Sequence, residues 1–221
     1  MLWLWPGRDA TQAPQEPWTA MRRWSAVTVE RLQGKKTILA VTGGIAAFKA
    51  LDVLRLLKHH GADVFVVMTE HATRFLTPAS FAMLSGHPVS VDLFAPVKTW
   101  EMEHIALAHG TELVVMAPAT ANILAKFALG VADDLLSTLL VVIANRAAIF
   151  VAPAMNSHMY TNPVVQGHLA MLRQRHVEII APRYGALAST LEGQGVGRLA
   201  EPEDIVAHVL ACLQQATPEP R

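Results

Sequence analysis

Short apolar runs alternate along the chain with longer stretches whose apolar residues recur every three or four positions. The first run, 37–42 (TILAVT), is rich in β-branched and apolar residues and ends in Gly43-Gly44. Residues 46–60 then carry Leu51, Leu54 and Leu57 at helical spacing and stop at Gly61, a residue type that closes helices. The alternation continues with a strand at 63–68, a helix at 78–85 closed by Gly86, a strand at 112–117 and a helix at 119–128 with Gly130 at its end. Asp133 or Asp134 then caps a helix running to 143, both being good N-cap residues. A strand at 148–152, a helix at 162–175, a last strand at 177–181 and a last helix at 203–213 complete the pattern. The strands are apolar throughout, as expected when both faces are covered. Strands alternating with helices predict an α/β fold: a doubly wound, Rossmann-like parallel sheet with helices on both faces, in a single domain.

The first 35 residues break this rhythm, holding Trp3, Trp5, Trp18 and Trp24, four of the five tryptophans, and Pro6, Pro14 and Pro17. A short helix over 18–32 is expected there, as a tail or extra helix packed on the domain; a natural start at Met21 and a partner-docking segment are the alternatives. The organisation read from the sequence is therefore an extension at 1–35, a domain at 36–213 and a tail at 214–221.

Composition narrows the class. Hydrophobic residues make up 52% and charged residues 16% of the 221, which excludes a disordered chain and suits a covered sheet or further burial in an oligomer. Net charge is zero and no long basic run occurs, so nucleic acid is not an expected partner. A single cysteine, Cys212, makes no internal disulfide. The longest apolar run, LLSTLLVVIA, is too short to cross a membrane, and MLWLWPG is too short for a signal-peptide core. A cytoplasmic protein without a membrane partner is expected.

In doubly wound sheets ligands bind beyond the carboxyl ends of the strands, which directs attention to five loops. After Thr42, Gly43-Gly44 lets the backbone approach a ligand, and the following helix start favours an anion. The loop is neither GxGxxG nor a P-loop, so a dinucleotide or nucleoside triphosphate is not the first expectation; a tight turn without a ligand is the alternative. After Met68, Thr69 either caps a helix or bonds a phosphate, and Ser80 lies in the first turn of the helix begun by Pro78, with the same two readings. After Met116, Pro118 fixes the strand exit, while Ala119, Thr120, Ala121 and Asn122 leave room for something flat at a helix start. After Ala152, Asn156 either bonds a carboxylate or amide or caps the next turn, and Met155 and Met159 can pack on a ring. After Ala181, a stretch with Gly185, Gly193, Gly195 and Gly197 is long for a connection and reads as a lid or a flexible excursion; Arg198 could hold an anion.

His104, ahead of the third of these loops, has a side chain suited to general base catalysis near neutral pH, or is a structural or surface residue. No metal is expected: His104 and His109 are five apart with no Cys/His cluster nearby. A G-x-S-x-G nucleophile elbow is absent.

Together, TGGIAAFK, TPASFAMLSG, PATAN at 118–122, ADDLLST and PAMNSHMY at 153–160 resemble the wording of one family, the homo-oligomeric flavin-containing cysteine decarboxylases, in particular those acting on phosphopantothenoylcysteine in coenzyme A biosynthesis. PATAN resembles the family's PASANT motif and PAMNSHMY its PxMNxxMW motif, with Tyr160 for the usual aromatic. The resemblance covers about residues 36–210. It implies the flavodoxin-like version of the fold and FMN bound between subunits of a trimer or multiple of trimers. It implies that Gly43, Gly44, Ile45, Thr69, Ser80 and the corner Pro118, Ala119, Thr120, Ala121 and Asn122 hold FMN. His104 would be the base, Asn156 would bind the substrate carboxylate, Met155 would line the substrate site, and 185–198, including Ala188 and Arg198, would clamp the substrate. In such enzymes the thiol-bearing carbon of cysteine is oxidised to a thioaldehyde, and the carboxylate then leaves as carbon dioxide. In the coenzyme A enzymes the resulting ene-thiolate is reduced again and protonated, giving 4′-phosphopantetheine.

One position departs from the family. The proton donor is usually a Cys in the clamp, whereas here Ser189 occupies that place, and the segment before Gly197-Arg198 is about two residues longer. A hydroxyl is a far weaker acid than a thiol, so the reductive half would use another donor or be missing. A missing reductive half would give the ene-thiol, the product of relatives that decarboxylate C-terminal cysteines of lantibiotic precursor peptides. A peptidyl-cysteine decarboxylase is thus the alternative enzyme, and a flavin-binding regulatory protein without turnover is the alternative from another class; the latter's acidic extension is missing from the tail. The PAMN loop and His104 argue against a flavin prenyltransferase. With the chain ending at Arg221, a stand-alone decarboxylase without a following ligase domain is expected.

Overall fold

The structure, a computed structural model, describes residues 32–95, 102–144, 146–188 and 193–215. The helix expected over 18–32 lies outside the described residues apart from Leu32, and Ser189 lies outside them as well.

Five strands form one parallel sheet: β1 (Lys36–Val41), β2 (Asp63–Met68), β3 (Leu113–Ala119), β4 (Ala148–Pro153) and β5 (Glu178–Ile179). Their order is β2-β1-β3-β4-β5, so the chain winds outward from β1 to β2 and then returns to wind the other way from β3. That reversal separates the loops after β1 and β3 and opens a crevice between them, the flavodoxin-type switch point at which such sheets bind ligands.

The apolar strands divide their side chains between two cores, because successive residues of a strand point to opposite faces. Leu39 and Val41 of β1 face one core with Val64 and Val66 of β2. That core is closed by α1 (Ala50–His59), α3 (Pro78–Ser85) and α9 (Pro202–Gln215) through Val53, Leu54, Leu57, Phe81, Ile205 and Val209. Ile38 and Ala40 face the other core with Val114 and Met116 of β3. It is closed by α4 (Glu103–Ala108), α5 (Ala121–Leu129), α6 (Leu135–Ile143) and α8 (Pro163–Gln174). Among the described residues no helix is long and apolar enough to cross a membrane.

The helix starts follow their caps. Asp134 accepts from the Ser137 N–H at 2.8 Å while Ser137 Oγ accepts from the Asp134 N–H at 3.1 Å, a reciprocal capping box that begins α6. Lys126 of α5 bridges Asp133 and Asp134 at 2.6 Å each, tying the two helices. The helix expected from 46 begins instead as a 3-10 turn, Ile45–Lys49, before α1; residues in this first turn are the ones drawn toward the crevice.

The largest departure from the sequence reading comes after β5. The strand at 177–181 is not the last: β6 (Arg183–Ala186) and β7 (Gln194–Arg198) form an antiparallel hairpin, with Tyr184 opposite Val196 and Ala186 opposite Gln194. Gly195 and Gly197 deprive β7 of the apolar alternation that announces a strand, so in sequence it looks like a loose excursion.

Candidate functional site

Beyond the carboxyl ends of β1, β3 and β4 the loops enclose a cavity of about 910 Å³, the size of a site for a cofactor together with a small substrate. Each of the five loops singled out in the sequence contributes to its wall.

Thr42, buried at the end of β1, ties the two sides of the switch point together. Its hydroxyl donates to the Pro118 carbonyl at 2.7 Å and accepts from the Thr120 N–H at 3.1 Å. Thr42→Val keeps the shape and strands both partners. We expect a stability loss of about 1–3 kcal/mol in denaturant titrations, and an unchanged midpoint would show that water replaces the hydroxyl. Gly43 follows because nothing larger fits: a Cβ there would lie 2.4 Å from His71 Cβ and 2.8 Å from the His71 carbonyl carbon. Gly44 and Ile45 line the cavity, and so do Phe48 and Lys49 one turn further on.

Thr69 also lines the cavity, but its hydroxyl is engaged as the cap of α2 (Glu70–Thr73), accepting from the Ala72 N–H at 3.3 Å. His71, Arg74 and Phe75 extend this wall. Pro118, reached through a cis peptide from Ala117, joins Thr120, Ala121 and Asn122 on the opposite wall. Thr120 makes no side-chain capping bond to α5, so the first N–H groups of a nine-residue helix are left for a ligand at the cavity edge.

The loop after β4 supplies Met155, Asn156 and Met159. Asn156 caps α7 (Ser157–Tyr160): its Oδ1 accepts from the N–H groups of His158 at 2.7 Å and Met159 at 3.2 Å. The capping and ligand-binding readings of this residue are compatible, since capping uses the oxygen and leaves the Nδ2 donors for an anion.

The hairpin closes the remaining side with Ala186, Leu187, Ala188, Gly197 and Arg198. It is fastened to the Asn156 loop by a bond from the Met155 N–H to the Gly197 carbonyl at 3.0 Å. Arg183 of β6 pairs with Asp204 of α9. Glu201 holds both Lys49, at 2.7 Å, and Arg198, at 2.6 Å. Its hydrogen bond with Lys49 keeps the Glu201 carboxyl below its usual 4.5 despite partial desolvation. A carboxyl whose folded pKa is depressed contributes stability above its unfolded value that is lost as pH falls through the folded one. Acidification below about 4.5 should therefore loosen the hairpin, seen as faster amide exchange in β7, and Glu201→Gln should remove that part of the pH dependence.

Three expected site residues lie elsewhere or are differently placed. Ala119 is fully buried within β3. Ser80 sits in α3, its hydroxyl 3.3 Å from that of Thr77, and does not line the cavity. His104 lies in α4, also away from the lining; its Nδ1 is buried without a hydrogen-bond partner. Thr42, Phe48, Lys49, Arg74, Phe75 and Glu201 take part in the site or its bracing without being expected from the sequence. Phe48 and Lys49 fall one turn after Gly44, where helical spacing places them on the same wall; Glu201 carries no local signal, since its role depends on Lys49, 152 residues away.

The lining holds the cations Lys49, Arg74 and Arg198 and, among the described residues, no carboxylate. With the α5 start this suits an anion. Ile45, Phe48, Phe75, Met155 and Met159 offer apolar surface to a flat ring.

A family model described as Flavoprotein matches residues 26–214. The chain is 43% identical over 192 residues to the coenzyme A biosynthesis bifunctional protein CoaBC of Vibrio vulnificus, covering 87% of this chain and 46% of that protein. It is 43% identical over 180 residues to CoaBC of Escherichia coli, covering 81% and 43%. It therefore spans about half the length of these curated relatives. Among solved structures it resembles a Cys-to-Ser mutant of PPC decarboxylase complexed with pantothenoylaminoethenethiol, with TM-score 0.73 and 29% identity over 82% of this chain and all of that one. The FMN binding protein AtHal3 aligns with TM-score 0.71 and 27% identity, covering 85% of this chain and 100% of that one. The FMN-dependent cysteine decarboxylase SpaF aligns with TM-score 0.68 and 28% identity, covering 84% and 98%.

Proposed function

The chain belongs to the flavoprotein family, among the flavin-containing cysteine decarboxylases, and on that premise we propose that it is an FMN-dependent phosphopantothenoylcysteine decarboxylase producing 4′-phosphopantetheine for coenzyme A biosynthesis. The observation that carries this reading is the cavity at the β1/β3 switch point, where an open helix start, an apolar wall and three cations, two of them paired with Glu201 behind the lining, converge. The residues present fit FMN: Gly43 and Gly44 bring bare backbone to the cavity wall, the first turn of α5 offers donors to an anion, and the methionines and phenylalanines offer faces to a ring. FMN, when bound, would supply the two-electron acceptor for oxidation of the thiol-bearing carbon, which creates an electron sink beside the carboxylate.

The chain's own residues position and deprotonate. Asn156 is held by its cap with its amide donors free for the substrate carboxylate, and Arg198, braced by Glu201, adds a positive charge from the hairpin. Met155 and Ala188 bound the same side. His104 is the base that takes the thiol proton. Because it does not line the cavity of its own chain, it serves a neighbouring subunit, in a trimer or multiple of trimers acting in the cytoplasm. The exposed Ile45, Phe48 and Phe75 at the cavity mouth give that assembly an apolar surface to cover.

Ser189 supports a second product. In sequence it takes the position of the family's expected proton-donating Cys, and a solved Cys-to-Ser mutant of PPC decarboxylase is complexed with pantothenoylaminoethenethiol. A chain that lacks the donor releases the ene-thiol, as a peptidyl-cysteine decarboxylase does. The test is anaerobic incubation of the purified flavin-loaded protein with 4′-phosphopantothenoylcysteine. Formation of 4′-phosphopantetheine supports the first reading; carbon dioxide with an ene-thiol and reduced flavin supports the second. A colourless protein that takes up no FMN, or one that turns over nothing, refutes the enzymatic reading. Ser189→Cys should speed phosphopantetheine formation, and an unchanged rate would place the donor elsewhere.

A further inference from the structure

Away from the cavity, on the edge of the sheet, three side chains of different donor type meet. Glu178 begins β5, the edge strand, while His208 and Cys212 lie one turn apart on α9. Residues four apart share a helix face, and α9 turns this face toward β5. One ligand atom from each, the Glu178 carboxylate oxygen, a His208 ring nitrogen and Cys212 Sγ, lie within 4.8 Å of one another. The Glu178 Oε1 to His208 Nε2 distance is 2.8 Å, and the His208 ring is set edge-on against Phe150 at 6.4 Å between centroids. None of the three lines the cavity. Among the described residues this is the one group of three such ligands so placed.

We propose that Glu178, His208 and Cys212 form a binding site for a divalent transition-metal ion of the zinc class, joining the edge strand to the last helix. Thiolate, imidazole and carboxylate are the three protein donors that zinc accepts in four-coordinate sites, with water in the fourth position. The mixed S, N, O set disfavours calcium and magnesium, which take all-oxygen shells. Atoms gathered within 4.8 Å need only small rotamer adjustments to reach bonding distances of about 2.0–2.3 Å from one centre. Sequence inspection for metal motifs does not find this site, because Glu178 and His208 are 30 residues apart and meet only through the packing of α9 on the sheet edge.

Cobalt(II) serves as a coloured probe for zinc in the full chain as purified. One equivalent should produce saturable ligand-field bands to the red of any flavin absorption, together with thiolate-to-cobalt charge transfer, and zinc should displace the colour and raise the melting temperature. Cys212→Ser should abolish the charge transfer, and His208→Ala and Glu178→Gln should each weaken cobalt binding at least about tenfold. All three variants should keep the circular dichroism of the parent. Absence of a saturable band in the parent chain overturns the proposal, and so does a band that survives unchanged in Cys212→Ser and His208→Ala. The site's failure leaves the decarboxylase reading untouched, since none of its residues bounds the cavity.

Discussion

Replacing His104 by Asn should lower turnover of phosphopantothenoylcysteine by about 10²–10⁴-fold, the range for loss of a positioned general base, while the protein stays yellow. The two readouts separate because His104 is on α4 and the cavity walls come from other elements. Asparagine keeps a polar side chain of similar reach but has no imidazole nitrogen to take up a proton. The location of His104 gives the test a second arm. If the base acts on a neighbouring subunit, mixing His104→Asn chains with Asn156→Asp chains should restore part of the activity, since some cavities in mixed oligomers then combine an intact base with an intact Asn156. Two inactive variants that stay inactive when co-assembled would instead place both residues in one subunit's site. A His104→Asn protein that turns over at the parent rate removes His104 from the mechanism.

Gly197→Val carries the other large effect. Gly197 has φ of 137°, a conformation that side-chain-bearing residues avoid. A Cβ there would lie 2.2 Å from the Met155 carbonyl oxygen, on the same loop whose N–H donates to the Gly197 carbonyl. Neither partner is a flexible side-chain end, so relief requires the hairpin to lift from the Asn156 loop. We expect a loss of at least about 2–3 kcal/mol in local stability, faster proteolysis of the hairpin, and a sharp rise in KM with the flavin retained. Protease resistance equal to that of the parent would mean that the hairpin is held by its ion pairs rather than by this backbone contact.

Much of the fold is legible in the sequence because strands covered on both faces must be apolar throughout. The run 63–68 matches β2 and the run 78–85 matches α3 residue for residue, and Asp134 begins α6 through a cap that its residue type announces. The β6–β7 hairpin was illegible for the complementary reason: its strands cover no core, so residues such as Arg183, Tyr184 and Gln194 remain exposed and leave no periodic mark. The cavity loops were legible as punctuation, from Gly43 to Pro118 to Asn156. Their couplings were not. Nothing in the wording of TGGIAAFK says that Thr42 grips Pro118, or that Lys49 reaches Glu201, because those bonds join segments that only the sheet order brings side by side.

The shared carboxylate of Glu201 has a consequence for how such proteins can diverge. Lys49 belongs to the wall after β1 and Arg198 to the hairpin, yet both rest on the same acid. A lineage that loses Glu201 leaves two neighbouring cations without their common counterion, so drift at 49, 198 and 201 is not independent. Across homologues these three positions should covary in charge, and a swap confined to Lys49→Glu with Glu201→Lys should not restore stability, since the new cation at 201 then faces Arg198. The same linkage makes the trio a single unit of exchange for engineering: a hairpin grafted from a relative works here only if it arrives with the acid that its arginine and this chain's lysine must share.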